Sequence, residues 1–222
     1  MRGVINRFAP IKFHWSVIAL FAFIPAITFL THGADCALIE YRFAVAALLY
    51  LSFIAHEMGH LVVGHIQGCR TYRVNIYVHS SSSVAFRHGL DLKSSVMINL
   101  AGPFTSAAIA LLSLLLDQRD LPYVSEVFFI NAAICLYNLI PAYPLDGGRI
   151  LKSLLKSYTG NPELASVLSI RTSAIISAIT LLIGVFCLSP VTVCGALMLA
   201  GSAWSSHIRH RKIWEKVDRF YK

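Results

Sequence analysis

Charge is scarce in this chain: Asp, Glu, Lys and Arg make up 14% of its 222 residues, against 56% hydrophobic residues. With a mean hydropathy of +0.65, an ordinary soluble domain is excluded, and several apolar runs approach the thickness of a bilayer. Acids are scarcer still, 11 against 19 Lys and Arg, for a formal net charge of +8. No basic domain or nucleic-acid motif accompanies that excess. The basic residues sit in short blocks between apolar runs, where membrane topology and anionic headgroups account for them, so no nucleic-acid partner is expected. Paired cysteines are missing too. Cys36, Cys69, Cys135, Cys187 and Cys194 are an odd set without a C-x-x-C pair, which argues against a disulfide framework and a Cys-based zinc site; the last three read as buried apolar thiols.

What the chain does have is six apolar segments, about 13–31, 43–66, 94–116, 124–142, 165–188 and 191–206. They predict an all-α integral membrane protein of about six transmembrane helices, a single polytopic domain over residues 1–222 embedded in the lipid bilayer. The runs "NLAGPFTSAAIALL" and "CGALMLAGSAW" are rich in small residues, which let helices approach closely in lipid. The first segment follows Arg2, Arg7 and Lys12 as a signal peptide would, but Pro25 and Phe29 leave no small-residue cleavage site, so it reads as an uncleaved span. Taken in order, the flanks of the six segments carry 3, 1, 4, 1, 4, 0 and 6 Lys or Arg residues. That alternation puts both termini and the loops near 70–93 and 143–164 in the cytoplasm, with the second and fourth segments running inward.

The second segment contains "LLYLSFIAHEMGHLVVG" at 48–64. On a helix, His56 and His60 are offset by roughly 40° around the axis and 6 Å along it, so both imidazoles point at one position, with Glu57 beside it. In H-E-x-x-H sites two neutral imidazoles bind Zn²⁺ and the Glu takes a proton from water activated there, the chemistry of peptide hydrolysis. A random chain of this composition would show the pattern with a probability of about 0.01. Placement argues against chance, because an ionisable residue at a membrane-helix centre costs about 2.5–3.5 kcal/mol and is normally paired, metal-bound or functional. Two histidines do not complete a protease zinc site, which usually has three protein ligands and an open position. His65 lies about 140° round the helix from His60 and reads as a residue near the cytoplasmic interface. His79 and His88 fall in a polar loop and read as solvated.

Asp146 is left, in "NAAICLYNLIPAYPLDGGRILKSLLKS". Pro141 and Pro144 each remove a backbone donor and Gly147–Gly148 permits unusual dihedrals, so the fourth helix is expected to open into irregular backbone near its cytoplasmic end. Such backbone survives in a membrane only against protein or a water-filled cavity, where an Asp can turn toward a neighbouring helix. The alternative is an ordinary span end with Asp146 capping an amphipathic surface helix, "RILKSLLKS". Depth favours the first. His60 lies roughly 12 Å inside a helix end on the cytoplasmic side, and Asp146 follows a span that also runs inward.

With "HEMGH" at 56–60, "NLAGP" at 99–103, "NLIPAYPLDGGR" at 138–149 and "PIKFHWS" at 10–16, the chain resembles the site-2 protease family of intramembrane zinc metalloproteases over roughly residues 10–206. The resemblance implies a zinc endopeptidase that hydrolyses a bond in or near a transmembrane segment of a protein substrate. It implies His56, His60 and Asp146 as zinc ligands and Glu57 as general base. It further implies that Asn138 and the extended "PAYPL", with Pro141 and Pro144, hold an unwound substrate segment, and that residues 71–86 form a short membrane-associated β-hairpin supplying an edge. About 25 residues between Gly68 and Ser94 leave no room for the peptide-binding domain of some relatives, and the tail from Arg209 is too short for the regulatory domain of others. Recognition is therefore expected in the membrane core, or through a regulatory membrane partner or a homo-oligomer. The expected location is a prokaryotic inner membrane. A catalytically silent metal-binding scaffold is the alternative, disfavoured because structure needs ligands and not a base. A metal transporter would need more acids along its spans than Glu57 and Asp146.

Overall fold

The computed structural model describes residues 11–13, 15–33, 35–76, 81–86, 91–116, 121–188, 193, 195–197, 199–201, 203–205 and 208. In chain order the elements are β1 (Ile11–Phe13), α1 (Trp15–His32), α2 (Cys36–Ile66), β2 (Arg70–Ile76), β3 (Ser81–Phe86), α3 (Leu92–Leu116), α4 (Val124–Leu139), α5 (Asp146–Thr159) and α6 (Pro162–Phe186). The fold is predominantly helical. Helices α2, α3 and α6 are long and apolar enough to cross a membrane, and the chain is an integral membrane protein. Helix α4 is shorter, at 16 residues. The sixth expected segment, 191–206, is described only in part, and both termini lie outside the described residues.

Helix α2 begins at Cys36, earlier than the expected start at 43. The Asp35 carboxylate accepts the Leu38 N–H at 3.0 Å and caps an otherwise orphaned first turn. Arg42 then donates to Thr28 of α1 at 3.2 Å, so a charge that reads as loop sits inside the helix with a partner.

The chain divides into two compact units, residues 1–90 with 104–135, and residues 91–103 with 136–222. In the first, α1 packs along α2, and a three-stranded sheet has the order β1-β2-β3. Strand β2 pairs antiparallel with β3 from Arg70↔Phe86 to Ile76↔Ser81, with an irregularity between Thr71 and Arg73. Strand β1 lies parallel to β2, Ile11 opposite Val74. The turn at 77–80 lies outside the described residues. Gly68, at φ 76°, ends α2 in the left-handed conformation that favours glycine, and the Cys69 N–H returns to the Gly64 carbonyl at 2.8 Å. The buried face of α2 is Ala46, Tyr50, Ser52, His56, His60 and Gly64, while Leu51, Val62 and Ile66 are 61%, 52% and 73% exposed. Small and polar groups inside with large aliphatics outside is the reverse of a soluble helix, and it fits a lipid solvent.

In the second unit α5 packs on α6. Gly160 closes α5 at φ 64°. Asn161 then caps α6 by accepting the N–H groups of Glu163 and Leu164 at 2.9 and 3.1 Å, with Pro162 in the first turn. Ser166, Ser169, Ser173 and Ser177 line the buried face of α6, and Ser177 donates to the Ala196 carbonyl at 2.7 Å. Cys187, expected to be a buried thiol, is exposed at the end of α6 and Cys135 is half-buried; an apolar thiol needs shelter from water, which lipid supplies as well as protein does.

Candidate functional site

The helix repeat does what the motif requires. His56 and His60 are adjacent on one buried face of α2, 2% and 8% exposed, with ring centroids 4.9 Å apart and planes at 80°. Their Nε2 atoms are 3.3 Å apart. Together with the Glu57 carboxylate, they form a group whose candidate ligand atoms all lie within 4.8 Å of one another. Two nitrogens each about 2.0–2.1 Å from one tetrahedral centre must be about 3.3–3.4 Å apart. The spacing therefore fits a zinc ion, and the donor set of two imidazoles with a carboxylate beside them has the right chemistry. His65 is exposed and is not part of this group.

Two polar contacts hold the same helix face. The His56 Nδ1 and the Ser106 hydroxyl of α3 are 3.0 Å apart. One turn earlier, the Asn131 amide of α4 donates to the Ser52 hydroxyl and to the Val127 carbonyl, both at 2.9 Å. Neither Ser106 nor Asn131 is singled out by sequence reasoning. The available signal is weak: a hydroxyl among the small residues of "AGPFTSAA" and the first of two asparagines in an apolar helix.

The second unit carries the broken segment. Helix α4 stops at Leu139 and α5 starts at Asp146, with Pro141 and Pro144 between them. The Tyr143–Pro144 peptide is cis. Backbone groups in the break find local partners: the Ala142 N–H bonds to the Ile140 carbonyl at 2.7 Å and the Leu145 N–H to the Ala142 carbonyl at 2.9 Å. The Tyr143 N–H donates to the Ser173 hydroxyl of α6 at 2.7 Å, while that hydroxyl donates to the Ser169 carbonyl at 2.8 Å. Irregular backbone is thus satisfied by protein, as an apolar surrounding demands.

Gly147 and Gly148 have a different role from the one expected. Both lie within the first turn of α5. A Cβ on Gly147 would collide with the Leu139 and Ile140 carbonyl oxygens, and one on Gly148 with the backbone of Ala142 and Tyr143. The need is close approach of backbone to backbone and not an unusual dihedral. Asp146, 4% exposed, is the first residue of this turn, and its carboxylate lies 3.6 Å from the half-exposed Arg149 guanidinium. The helix cap is Leu145, without a side-chain bond, so Asp146 is not the cap itself. Asn138 is half-buried, one residue before the end of α4, Pro141 is exposed and Pro144 half-buried. Of the sequence-predicted residues, His56, Glu57 and His60 form one group in the first unit, while Asn138, Pro141, Pro144 and Asp146 belong to the second.

Comparison with known proteins agrees with these motifs. Residues 99–187 match peptidase family M50, a stretch that holds "NLAGP" and "NLIPAYPLDGGR" and follows "HEMGH". A protein of Synechocystis sp. is 26% identical over 187 residues, 79% of this chain and 49% of that relative. A zinc metalloprotease of Methanocaldococcus jannaschii is 26% identical over 157 residues, 68% of this chain and 44% of that relative. The chain thus spans about half the length of the curated relatives it matches. The site-2 protease from M. jannaschii is similar in structure, with TM-score 0.70, 22% identity and coverage of 93% of both chains. The resemblance carried by the motifs is borne out: the chain matches peptidase family M50 across residues 99–187 and has the fold of a site-2 protease.

Proposed function

We propose that the chain is an intramembrane zinc endopeptidase that hydrolyses a peptide bond in or near a transmembrane segment of a membrane-protein substrate. One observation carries this reading: two imidazoles with their Nε2 atoms 3.3 Å apart, beside a carboxylate, in the C-terminal half of a long apolar helix. Zinc held there would supply Lewis acidity toward the scissile carbonyl and toward water. His56 and His60 donate from α2. Asp146 is the third ligand, supported by its burial and by the glycines that seat its turn against the preceding break. Glu57 accepts a proton from the attacking water and returns it to the leaving amine, so the amide C–N bond breaks with a new carboxylate and a new amine. A transmembrane helix hides its peptide bonds in its own hydrogen bonds, so the substrate must unwind first. Asn138 and the segment of Pro141 and Pro144 hold the unwound strand, and β2–β3 acts as a membrane-associated hairpin offering it an edge.

In this reading residues 1–222 are one polytopic protease domain with six spans in a prokaryotic inner membrane, both termini cytoplasmic. Its partners are the substrate, the bilayer, and a regulatory membrane protein or a second copy. Elemental analysis tests the metal assignment. Wild-type protein should carry about one zinc per chain, and His56→Ala or Asp146→Ala should carry almost none, since a site left with two ligands holds zinc weakly. A tightly bound zinc surviving in either variant removes that residue from the ligand set. Topology is tested separately with reporter fusions: a fusion after Asp117 should report the exterior, and fusions after Lys156 or at Lys222 the cytoplasm. The opposite pattern would put the chemistry at the outer face.

A further inference from the structure

The Ser106 hydroxyl lies 3.0 Å from His56 Nδ1, and Ser106 is fully buried at 0% exposure. Hydroxyls on helices ordinarily bond back to a carbonyl of the preceding turn. This chain shows the habit repeatedly: Ser113 to Ala110 at 2.7 Å, Ser153 to Arg149 at 3.0 Å and Ser166 to Pro162 at 2.8 Å. Ser106 instead reaches across to another helix, fifty residues away in sequence. Its single-carbon side chain suits that task, because a short hydroxyl bridges two helices only where their backbones approach closely.

Which nitrogen of His56 carries its proton decides whether the ring can bind a metal. The nitrogen facing His60 is Nε2, and it is a ligand only when its lone pair is free, which in a neutral imidazole puts the proton on Nδ1. A proton on Nδ1 in a buried place needs an acceptor. Ser106 Oγ is there to receive it. We infer that Ser106 is a positioning residue for the metal centre: by accepting a hydrogen bond from His56 Nδ1–H it holds the ring in the tautomer and orientation that aim Nε2 at the position shared with His60. The inference rests on His56 being a metal ligand. The outer partner of a ligating imidazole is typically worth about 10–100-fold in metal affinity.

The experiment measures Zn²⁺ affinity of the full chain in detergent by competition with a chelator, for wild type, Ser106→Ala, Ser106→Thr, Ser113→Ala and His56→Ala. Ser106→Ala should raise the zinc Kd by about 10–100-fold, while Ser106→Thr, which keeps the hydroxyl, should stay within about threefold. Ser113→Ala removes a buried hydroxyl from the same helix and should leave the Kd unchanged. As a spectroscopic readout, ¹⁵N spectra of the zinc-loaded histidines should show a slowly exchanging Nδ1 proton in wild type and Ser106→Thr, and a rapidly exchanging one in Ser106→Ala. A Ser106→Ala Kd within twofold of wild type, with zinc lost from His56→Ala, would overturn the positioning role and leave the ligand assignment standing. Equal losses in Ser106→Ala and Ser113→Ala would assign the effect to packing and also overturn it. Tight zinc in His56→Ala would remove the ligand reading on which the inference depends, and both would fall.

Discussion

Glu57→Gln is expected to purify with its zinc content unchanged and to cleave a reconstituted transmembrane substrate about 10²–10⁴-fold more slowly than wild type, the range that one positioned acid–base group contributes. The amide is nearly isosteric with the carboxylate, so packing around Glu57 is preserved, but it cannot take a proton from water. His56 and His60 remain on the same face of the helix, and the donors for the metal are untouched. The measurement is paired: zinc per chain by elemental analysis, and cleavage rate under single-turnover conditions. A variant that keeps both zinc and wild-type turnover would exclude Glu57 as the base. Loss of zinc along with activity would make the carboxylate a ligand, an outcome that its place in the same group of donors makes worth separating.

Gly148→Ala, like Gly147→Ala, is expected to be strongly destabilising. The added methyl would have to occupy space held by the backbone of Ala142 and Tyr143, which cannot rotate away as a side chain would. Overpacking of this kind typically costs about 1–3 kcal/mol and sometimes more, which for a chain of this length corresponds to a fall of roughly 2–12 °C in Tm. Asp146 begins the same helical turn, so under the proposed ligand set zinc affinity should fall with stability. Gly64→Ala is the control. Gly64 also lies on a buried helix face, but a Cβ there meets only the Cys69 Cβ at 3.9 Å, an ordinary contact. Replacing a helix-interior glycine in that setting should be neutral or stabilising by up to about 1 kcal/mol. Thermal melts and zinc titrations of the two variants side by side check the contrast; equal melting temperatures would mean that α5 does not press on the preceding break as closely as the structure describes.

These expectations divide between what periodicity could supply and what needed the folded chain. A helix repeat alone puts residues four apart on one face, so the pairing of His56 with His60 and the neighbouring Glu57 was legible from five letters. Prolines lack a backbone donor, so the end of α4 before Pro141 was legible too, as was the membrane character, since composition is a property of the chain and not of its arrangement. The start of α2 was missed by seven residues, from 43 to 36, because hydropathy counts Glu40 and Arg42 as loop, whereas Asp35 caps the turn and Thr28 takes the guanidinium. The double glycine suggests conformational freedom in sequence, whereas in the folded chain it supplies clearance for the backbone of the break.

Local pattern determined which groups exist and which face of their own helix they occupy. Tertiary structure decided what they touch: that the Ser106 hydroxyl turns to His56, that Asn131 braces Ser52, and that Ser173 takes the Tyr143 N–H left over by the break. Such contacts join residues 30 to 79 positions apart. No period within a helix encodes them. They depend on how closely two backbones approach, and in lipid that distance is set by small side chains packing against one another along the whole contact.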